Sequence, residues 1–134
     1  SSAESAFFQK SCQAFIKRLI AANKKVIIIR DIPDLDFNIK SCIRPFSITK
    51  KTRSLCAIDA ADYKKRVSEY DAIFSALTNK FPTLKVFDPR PIFCDDKFCW
   101  AIKNGEVLYS NGDHLTNYGA GLVVKELLSQ YPIK

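Results

Sequence analysis

The stretch Lys25-Val26-Ile27-Ile28-Ile29-Arg30 decides the fold class of this chain. Its uninterrupted apolar run predicts a short strand without polar alternation, which is typical of a central parallel strand covered on both faces. The segment Asp31-Ile32-Pro33-Asp34 then ends the strand, since proline and aspartate favour turns. A buried strand of this kind indicates an α/β protein.

Helical periodicity appears on both sides of this strand. Residues 4–22 carry apolar side chains at helical spacing and end at Asn23. A second helix begins at Asp59 or Asp62, either of which can cap it, and runs to about Lys80. The predicted buried faces of the two helices are Phe8, Cys12, Phe15, Ile16, Leu19 and Ile20, and Tyr63, Val67, Tyr70, Ile73, Phe74 and Leu77.

The remaining segments complete an alternating pattern. Residues 34–60 have an irregular pattern, residues 84–87 predict a second buried strand, and residues 98–109 predict a hairpin around the turn 103–105. Thr116 is a plausible cap of a last helix, in which Gly119 and Ala120 allow close approach to its neighbours. The inward-facing residues of that helix are predicted to be Leu122, Val123, Leu127 and Leu128.

This order of elements predicts an α/β layer structure with a mostly parallel sheet. Only two parallel strands are visible, which is few for a complete doubly wound sheet. We therefore expect the chain to be part of a domain.

Charge and hydropathy narrow the function classes. The 134-residue chain has a formal net charge of +7, but its lysines and arginines are spread in pairs, which favours a solvated basic surface over a polyanion-binding patch. Such a patch would centre on the loop Lys50-Lys51-Thr52-Arg53. No nucleic-acid-binding motif accompanies it, so we expect no nucleic-acid partner. No apolar run approaches the roughly 18 residues of a membrane span.

The five cysteines indicate disulfide bridges. Cys94 and Cys99 flank a short polar turn, and Cys42 and Cys56 flank a basic loop whose closure would stabilise the fold by about 3 kcal/mol. Five unpaired buried cysteines are the alternative. Neither spacing is that of a zinc knuckle, so no metal is expected. Bridges imply an oxidising compartment, and Cys12 is expected to be a buried free thiol.

The only histidine, His114, lies just ahead of the last helix. An amide, Asn111, precedes it by three residues, and an acid, Asp113, is its neighbour. Chemistry in open α/β folds gathers at the carboxyl ends of the strands, where 31–33, 88–91 and this turn are expected to meet. A histidine whose tautomer is fixed by a carboxylate or an amide can act as a general base. A surface or structural histidine is the alternative.

The sequence Leu108-Tyr109-Ser110-Asn111-Gly112-Asp113-His114-Leu115-Thr116, followed by Gly119-Ala120, resembles the last conserved block of SGNH hydrolases. It is similar in particular to the SGNH domain fused to membrane acyltransferases of the acyltransferase-three family. Upstream features agree in order: the strand 26–29 running into Ile32-Pro33, Cys42 and Cys56, the helix around Tyr63 and Arg66, residues 86–89, and the pair Cys94 and Cys99.

This resemblance implies a three-layer α/β sandwich of SGNH-hydrolase or flavodoxin-like type, with a mostly parallel sheet flanked by helices. It also implies a Ser-His-Asp site, in which serine attacks an acyl carbonyl, histidine takes its proton and the acid orients the imidazole. Such domains face the bacterial periplasm, tethered to the inner membrane through the parent protein. There they work with a membrane acyltransferase domain to O-acylate surface polysaccharides, and no cofactor is implied.

The nucleophile of that family is not recognisable here. The family keeps its serine in a Gly-Asp-Ser block near the start of the domain, whereas Ser47, Ser54 and Ser110 lack a Gly-Asp lead. We therefore predict that residues 1–134 are the C-terminal part of a single SGNH-type domain and that the nucleophile block lies outside them. The chain alone is not expected to catalyse acyl transfer.

The acid of that family is also replaced. Asn111 occupies the position three residues before the histidine, where the family has aspartate. An amide oxygen can still hold the imidazole N–H, but in a serine protease the corresponding change costs about 10⁴ in turnover. We expect His114 to be the base, oriented by Asn111 or by Asp113. The side chain of Asp113 is expected to point elsewhere, and its alternative role is to cap the last helix.

Three functions remain open. The leading hypothesis is an SGNH-type acyltransferase or esterase domain whose partners are an acyl donor, a glycan acceptor and the membrane acyltransferase domain of the parent. The second is a non-catalytic periplasmic module of the same fold that binds a glycan or its membrane partner. The third is a polyanion-binding domain that uses the basic loop.

Overall fold

The computed structural model of the chain describes residues 2–43 and 55–132. Contacts divide the chain into two compact units, residues 1–30 with 64–88 and residues 31–63 with 89–134. The elements are α1 (Ser2–Ala21), β1 (Ile27–Ile29), α2 (Lys40–Ile43), β2 (Ala57–Asp59), α3 (Ala60–Lys80), β3 (Lys85–Phe87), α4 (Arg90–Phe93), β4 (Phe98–Trp100), β5 (Ile102–Lys103), β6 (Glu106–Val107) and α5 (Asn117–Gln130).

A parallel pair of strands forms the sheet of the first unit. β1 and β3 align Ile27 with Lys85 and Ile29 with Phe87, which confirms the two predicted strands. Ile28 packs against a core made of residues from α1, α3 and the turn before β3. The buried members of that core are Ile16, Ile73, Leu77 and Leu84.

The prediction that β1 is covered on both faces is wrong for the described residues. Ile27 and Ile29 remain 40% and 54% exposed, whereas Ile28 packs on the core. Because successive strand residues point to opposite faces, the helices of this unit cover only one face of β1. The apolar run correctly indicates a strand, but it does not tell which faces are occupied.

The buried stripes of α1 and α3 are narrower than predicted. Phe8, Phe15 and Tyr70, which were expected to be buried, are exposed. Ile16 takes the core position on α1. Because each residue turns the helix by about 100°, the neighbouring Phe15 points away from the core. Tyr70 instead packs edge-on against Phe8, with ring centroids 6.0 Å apart.

The carboxyl end of β1 is fixed by Arg30 within the first unit. Its guanidinium pairs with Asp71, lies 3.7 Å from a carboxylate oxygen of Asp88, and stands 5.1 Å from the ring centroid of Phe74. Its backbone N–H donates to the carbonyl of Phe87 at 2.9 Å. Arg30 therefore joins the ends of both parallel strands to α3.

An antiparallel pair lies in the second unit, where sequence analysis predicted an irregular segment. β2 pairs with β4, aligning Ala57 with Trp100 and Asp59 with Phe98. The prediction for residues 34–60 is therefore wrong at β2 and at α2, and residues 98–100 do not belong to the hairpin. A three-residue strand is too short for a periodic pattern, and its partner lies far along the chain.

The predicted hairpin is confirmed over a shorter range. β5 and β6 pair across the turn Asn104-Gly105, whose φ angles are 54° and 79°. Positive φ at both central residues defines the type I′ turn that favours Asn-Gly. The N–H of Leu108 donates to the carbonyl of Ala101 at 2.9 Å and extends the pairing toward the next loop.

The described part of the chain therefore contains one parallel and two antiparallel two-stranded sheets. This is a mixed α/β structure, but the mostly parallel sheet expected from the sequence is not what these residues form. The three-layer arrangement stays a prediction.

Two predicted helix caps are confirmed. The carboxylate of Asp59 accepts hydrogen bonds from the N–H groups of Ala61 and Asp62 at 2.8 and 3.0 Å, and Thr116 Oγ1 accepts from Gly119 N at 3.1 Å. Both side chains satisfy N–H groups that have no partner inside the helix. Along α5 the residues Leu122, Val123 and Leu127 are half-buried, whereas Leu128, also expected to face inward, is exposed.

Both predicted disulfides are present. Cys42 pairs with Cys56 and Cys94 with Cys99. Cys12 is a free, half-buried thiol that packs against the first core, and burial raises its pKa. The loop Lys50-Lys51-Thr52-Arg53 lies outside the described residues. Within residues 2–43 and 55–132, no helix combines the length and the apolar character needed to cross a membrane.

Candidate active site

The histidine loop, residues 108–116, is a backbone-closed turn between β6 and α5. The N–H of Thr116 donates to the carbonyl of Leu108 at 2.9 Å, and the N–H of Ser110 donates to the carbonyl of His114 at 2.8 Å. Between these bonds, Tyr109 and Leu115 form an isolated antiparallel bridge. The tip of the loop is thereby held as a compact unit that carries the predicted site residues.

Asn111 organises the tip of the histidine loop. Its Oδ1 accepts hydrogen bonds from the backbone N–H of Asp113 at 3.0 Å and from that of His114 at 2.8 Å. This is an Asx turn, in which the side chain takes the place of a backbone carbonyl. Asn111 therefore fixes the backbone from which the imidazole projects.

The imidazole of His114 has two neighbours at the same ring nitrogen. Its Nδ1 lies 2.9 Å from Oδ1 of Asp113, and both amide atoms of Asn111 lie 3.1 Å from it. An ionised carboxylate only accepts hydrogen bonds, so a neutral imidazole in this contact donates through Nδ1–H and keeps its lone pair on Nε2. The expectation that the side chain of Asp113 points elsewhere is therefore wrong: it contacts His114.

The site is open to solvent. The side chains of His114 and Asp113 are 72% and 69% exposed. Within the described residues, Nε2 of His114 has no hydrogen-bond partner. A base whose ring is exposed and whose second nitrogen makes no hydrogen bond can accept a proton from a group that approaches from outside.

The segment after β1 supports the histidine loop from below. The buried hydroxyl of Tyr109 donates to the carbonyl of Pro33 at 2.7 Å, and the N–H of Leu35 donates to the carbonyl of Gly112 at 2.7 Å. Burial, together with the nearby Tyr63, raises the pKa of Tyr109 well above its usual range. Of the segments expected to meet at this edge, residues 33–35 and the histidine turn do so within the second unit.

Gly112 lies against the segment after β1, at a spacing that a larger residue also fits. A Cβ at this position would stand 3.5 Å from the backbone carbonyl oxygens of Leu35 and Phe37. The sequence motif contains Tyr109, but a tyrosine's hydrogen-bond partner on a distant segment leaves no local pattern, so its role was not predicted.

The start of α5 is fixed directly to the loop. Thr116 Oγ1 donates to the carbonyl of Val107 at 2.8 Å, in addition to its capping role. Gly119 lies against the backbone of Leu108, so closely that a Cβ there would overlap the Leu108 carbonyl oxygen. The predicted close approach at Gly119 is confirmed, and it ties the position of His114 to α5.

The described residues do not supply an evident nucleophile. The hydroxyl of Ser110 donates to the backbone carbonyl of His114 at 3.2 Å and does not contact the imidazole. Ser47 and Ser54 lie outside the described residues. Among residues 2–43 and 55–132, no group of three His, Cys, Asp or Glu side chains is placed to hold a metal ion.

Comparison with protein families identifies the chain. The family described as SGNH domain (fused to AT3 domains) matches residues 1–129, which is nearly the whole chain. No curated protein and no solved structure matches it. The fusion in this family supports a membrane acyltransferase domain as the partner in the parent protein. The chain therefore belongs to the family of SGNH domains that are fused to AT3 acyltransferase domains.

Proposed function

We propose that this chain supplies the base of an O-acyltransferase, with His114 accepting protons at Nε2 and Asp113 orienting the ring. The observation that carries the proposal is the 2.9 Å contact between Nδ1 of His114 and Oδ1 of Asp113. It supports the tautomer that a serine-histidine mechanism needs. Asn111 shapes the loop, and the serine nucleophile comes from outside residues 1–134.

In the proposed reaction, Nε2 of His114 takes the proton of the serine hydroxyl while the serine oxygen attacks the acyl carbonyl of the donor. The protonated imidazole then gives that proton to the leaving group of the donor, and an acyl-serine remains. A glycan hydroxyl next loses its proton to Nε2 and attacks the acyl-serine, and the proton returns to the serine oxygen. The carboxylate of Asp113 stabilises the imidazolium in both halves.

The compartment and the substrates follow from the same proposal. Two disulfides support an oxidising compartment, for which the periplasm is our proposal. The acyl donor is delivered through the AT3 domain of the parent protein, and the acceptor is a bacterial surface polysaccharide. We further propose that a complete three-layer SGNH fold forms together with the segment that carries the serine.

A second candidate is a non-catalytic module of the same fold that binds a glycan or the membrane domain. One observation favours it: Asn111 stands where the family has its acid, and it contributes no charge to an imidazolium. In that case the contact between Asp113 and His114 would serve only to shape an exposed surface. The two candidates differ in what removal of the imidazole does.

The test is acyl transfer to polysaccharide by the intact parent protein. His114→Ala is expected to abolish turnover, because His114 is the only histidine of this chain and the proposed base. Asp113→Asn is expected to lower it by a factor of about 10 to 10⁴, the upper figure being that of a buried protease acid. Asp96→Asn, an exposed acid in the Cys94–Cys99 loop, is the matched control and leaves turnover unchanged.

Two results would contradict the proposal. Acyl transfer that survives His114→Ala would establish the binding module instead. Loss of turnover in Asp113→Asn that is matched by equal loss in Asp96→Asn would show a general charge effect. Asn111→Asp gives a third check, since a carboxylate can accept the same two N–H bonds, and we expect it to retain or raise turnover.

A further inference from the structure

A groove runs along α5 from the point where the histidine loop ends. This α5 groove has a volume of about 330 Å³, within the range of pockets that hold small ligands. Its walls come from α4, the hairpin turn between β5 and β6, and α5, all within the second unit. Leu108, the first residue of the histidine loop, is also part of its lining.

The floor of the α5 groove is apolar and one of its walls is aromatic. Ile92, Leu108 and Leu122 supply aliphatic surface, and Tyr118 contributes an exposed ring. Tyr118 lies four residues after His114, in the first turn of α5. A tyrosine with an exposed ring and hydroxyl suits a ligand that has both apolar faces and hydroxyl groups, as a sugar ring does.

The rim of the α5 groove carries an excess of positive charge. Lys103 and Lys125 line it together with one acid, Glu126. Oε1 of Glu126 accepts a hydrogen bond from Nε2 of Gln130 at 2.9 Å. Lys125 and Glu126 are adjacent on a helix and so do not face each other. Among the described residues Lys125 has no ion pair, so its ammonium can bind an incoming anion.

Lys103 adds a second, more fixed cation. Its Nζ donates to the backbone carbonyl of Ile92 at 2.9 Å, which holds the ammonium at the rim. An ammonium has three donors, so this bond leaves two for a ligand. A carboxylate accepts such charge-assisted hydrogen bonds, whereas a neutral hydroxyl makes weaker ones.

We propose that the α5 groove binds a carboxylate-bearing sugar of the acceptor glycan, with its ring against Tyr118 and its carboxylate on Lys125 and Lys103. The inference rests on the proposed function in taking the ligand to be a glycan. Leu108 of the histidine loop lines the groove, and Tyr118 follows His114 by four residues. Because its two ammonium groups bind a carboxylate more strongly than a hydroxyl, the site selects acidic over neutral polysaccharide.

The test is equilibrium binding of digalacturonic acid to the intact parent protein, with neutral digalactose as the matched ligand. We expect the acidic disaccharide to bind more tightly than the neutral one, and added salt to weaken the binding of the acidic disaccharide. Lys125→Gln is expected to lower the affinity for the acidic disaccharide by about tenfold or more, while Lys125→Arg retains binding. Lys64→Gln, an exposed helix lysine of the first unit, is the control and has no effect.

Each other outcome overturns the proposal. Equal binding of the acidic and the neutral disaccharide would remove the selectivity, and unchanged binding in Lys125→Gln would place the ligand elsewhere. A third outcome is that the protein binds phosphatidylglycerol vesicles but not the disaccharide, and that Lys125→Gln abolishes the vesicle binding. That result would identify a lipid-headgroup surface. His114→Ala separates this proposal from the proposed function, because it is expected to retain disaccharide binding whatever it does to turnover.

Discussion

At the scale of single residues, the candidate site combines two functions on two side chains. Asn111 closes the Asx turn through its amide oxygen, and Asp113 contacts the ring of His114 through its carboxylate. The sequence identified all three residues, because a lone histidine beside an acid is a local pattern. It did not show which of the two neighbours contacts Nδ1, since that depends on the backbone turn.

Removal of the Tyr109 hydroxyl tests the support below the histidine loop. Tyr109→Phe leaves the buried carbonyl of Pro33 without its donor, so we expect a loss of about 1–3 kcal/mol in the free energy of unfolding. Thermal and denaturant unfolding measure it. Tyr118→Phe, in which the ring is exposed, is the control, and an equal loss there would contradict the role of the buried bond.

The buried Tyr109 is also expected to lower the free energy of unfolding at high pH. Burial raises the pKa of Tyr109 above 10.0, the ordinary value, so the folded protein keeps a proton that the unfolded chain loses. Its contribution to stability is complete below pH 10.0 and falls as the pH rises above that value. Stability measured against pH is expected to decline more steeply in the wild type than in Tyr109→Phe. Parallel curves would contradict this.

The contribution of Asp95 to stability is expected to be lost in acid rather than in base. Hydrogen bonds from Trp100 Nε1 and from the N–H groups of Phe98 and Lys97 lower its pKa below 3.8. The carboxylate therefore stabilises its loop above pH 3.8, and the effect is lost as the pH falls through the lower folded value. Trp100 is the only tryptophan, so its fluorescence reports the transition. Asp95→Asn is expected to remove this acid transition and Asp96→Asn to keep it.

At the scale of elements, the long helices and the parallel pair were predictable and the short antiparallel pair was not. The helical stripe around Ile16 and the apolar run 26–29 are continuous signals of many residues. The three residues of β2 pair with β4 about 40 positions later. Such partners depend on tertiary contacts, which a local pattern does not encode. The cap Asp59 and the Asn104-Gly105 turn were predictable because their chemistry is local.

Two glycines of α5 give a matched test of how closely the helix approaches the loop. Gly119→Ala places a Cβ on the Leu108 carbonyl, so we expect a loss of about 1–3 kcal/mol in stability. Gly121 has open space around it, and Gly121→Ala is expected to add up to about 1 kcal/mol through helix propensity. Unfolding curves of both variants measure the difference. Similar stabilities would show that α5 shifts without cost.

At the scale of the whole molecule, the covalent links are unevenly distributed. Both disulfides belong to the second unit, residues 31–63 and 89–134, whereas the cysteine described in the first unit, Cys12, is free. The spacing of the cysteines was sufficient to predict both pairs. The division into two units was not predicted, because it follows from how α3 continues from one into the other.

Reduction is therefore expected to act on one unit first. Opening the Cys42–Cys56 loop, whose ends are 14 positions apart, costs about 3 kcal/mol in the chain-entropy model. Hydrogen exchange with and without reductant is expected to show faster exchange in the second unit, including the histidine loop, than in the first. Cys12→Ser serves as the control and leaves the pattern unchanged. Equal acceleration in both units would contradict the prediction.

The Asx turn at Asn111 has a consequence for the order of mutations in this lineage. The pattern that this chain resembles has an aspartate at position 111, and a carboxylate there can both accept the two N–H bonds of the turn and carry the negative charge. Here Asn111 retains the first task and Asp113 has the second, under the proposed mechanism. A path on which every ancestor stays active therefore acquires the acid at 113 before it loses the acid at 111. Reconstructed ancestors with both acids would be the intermediates on that path.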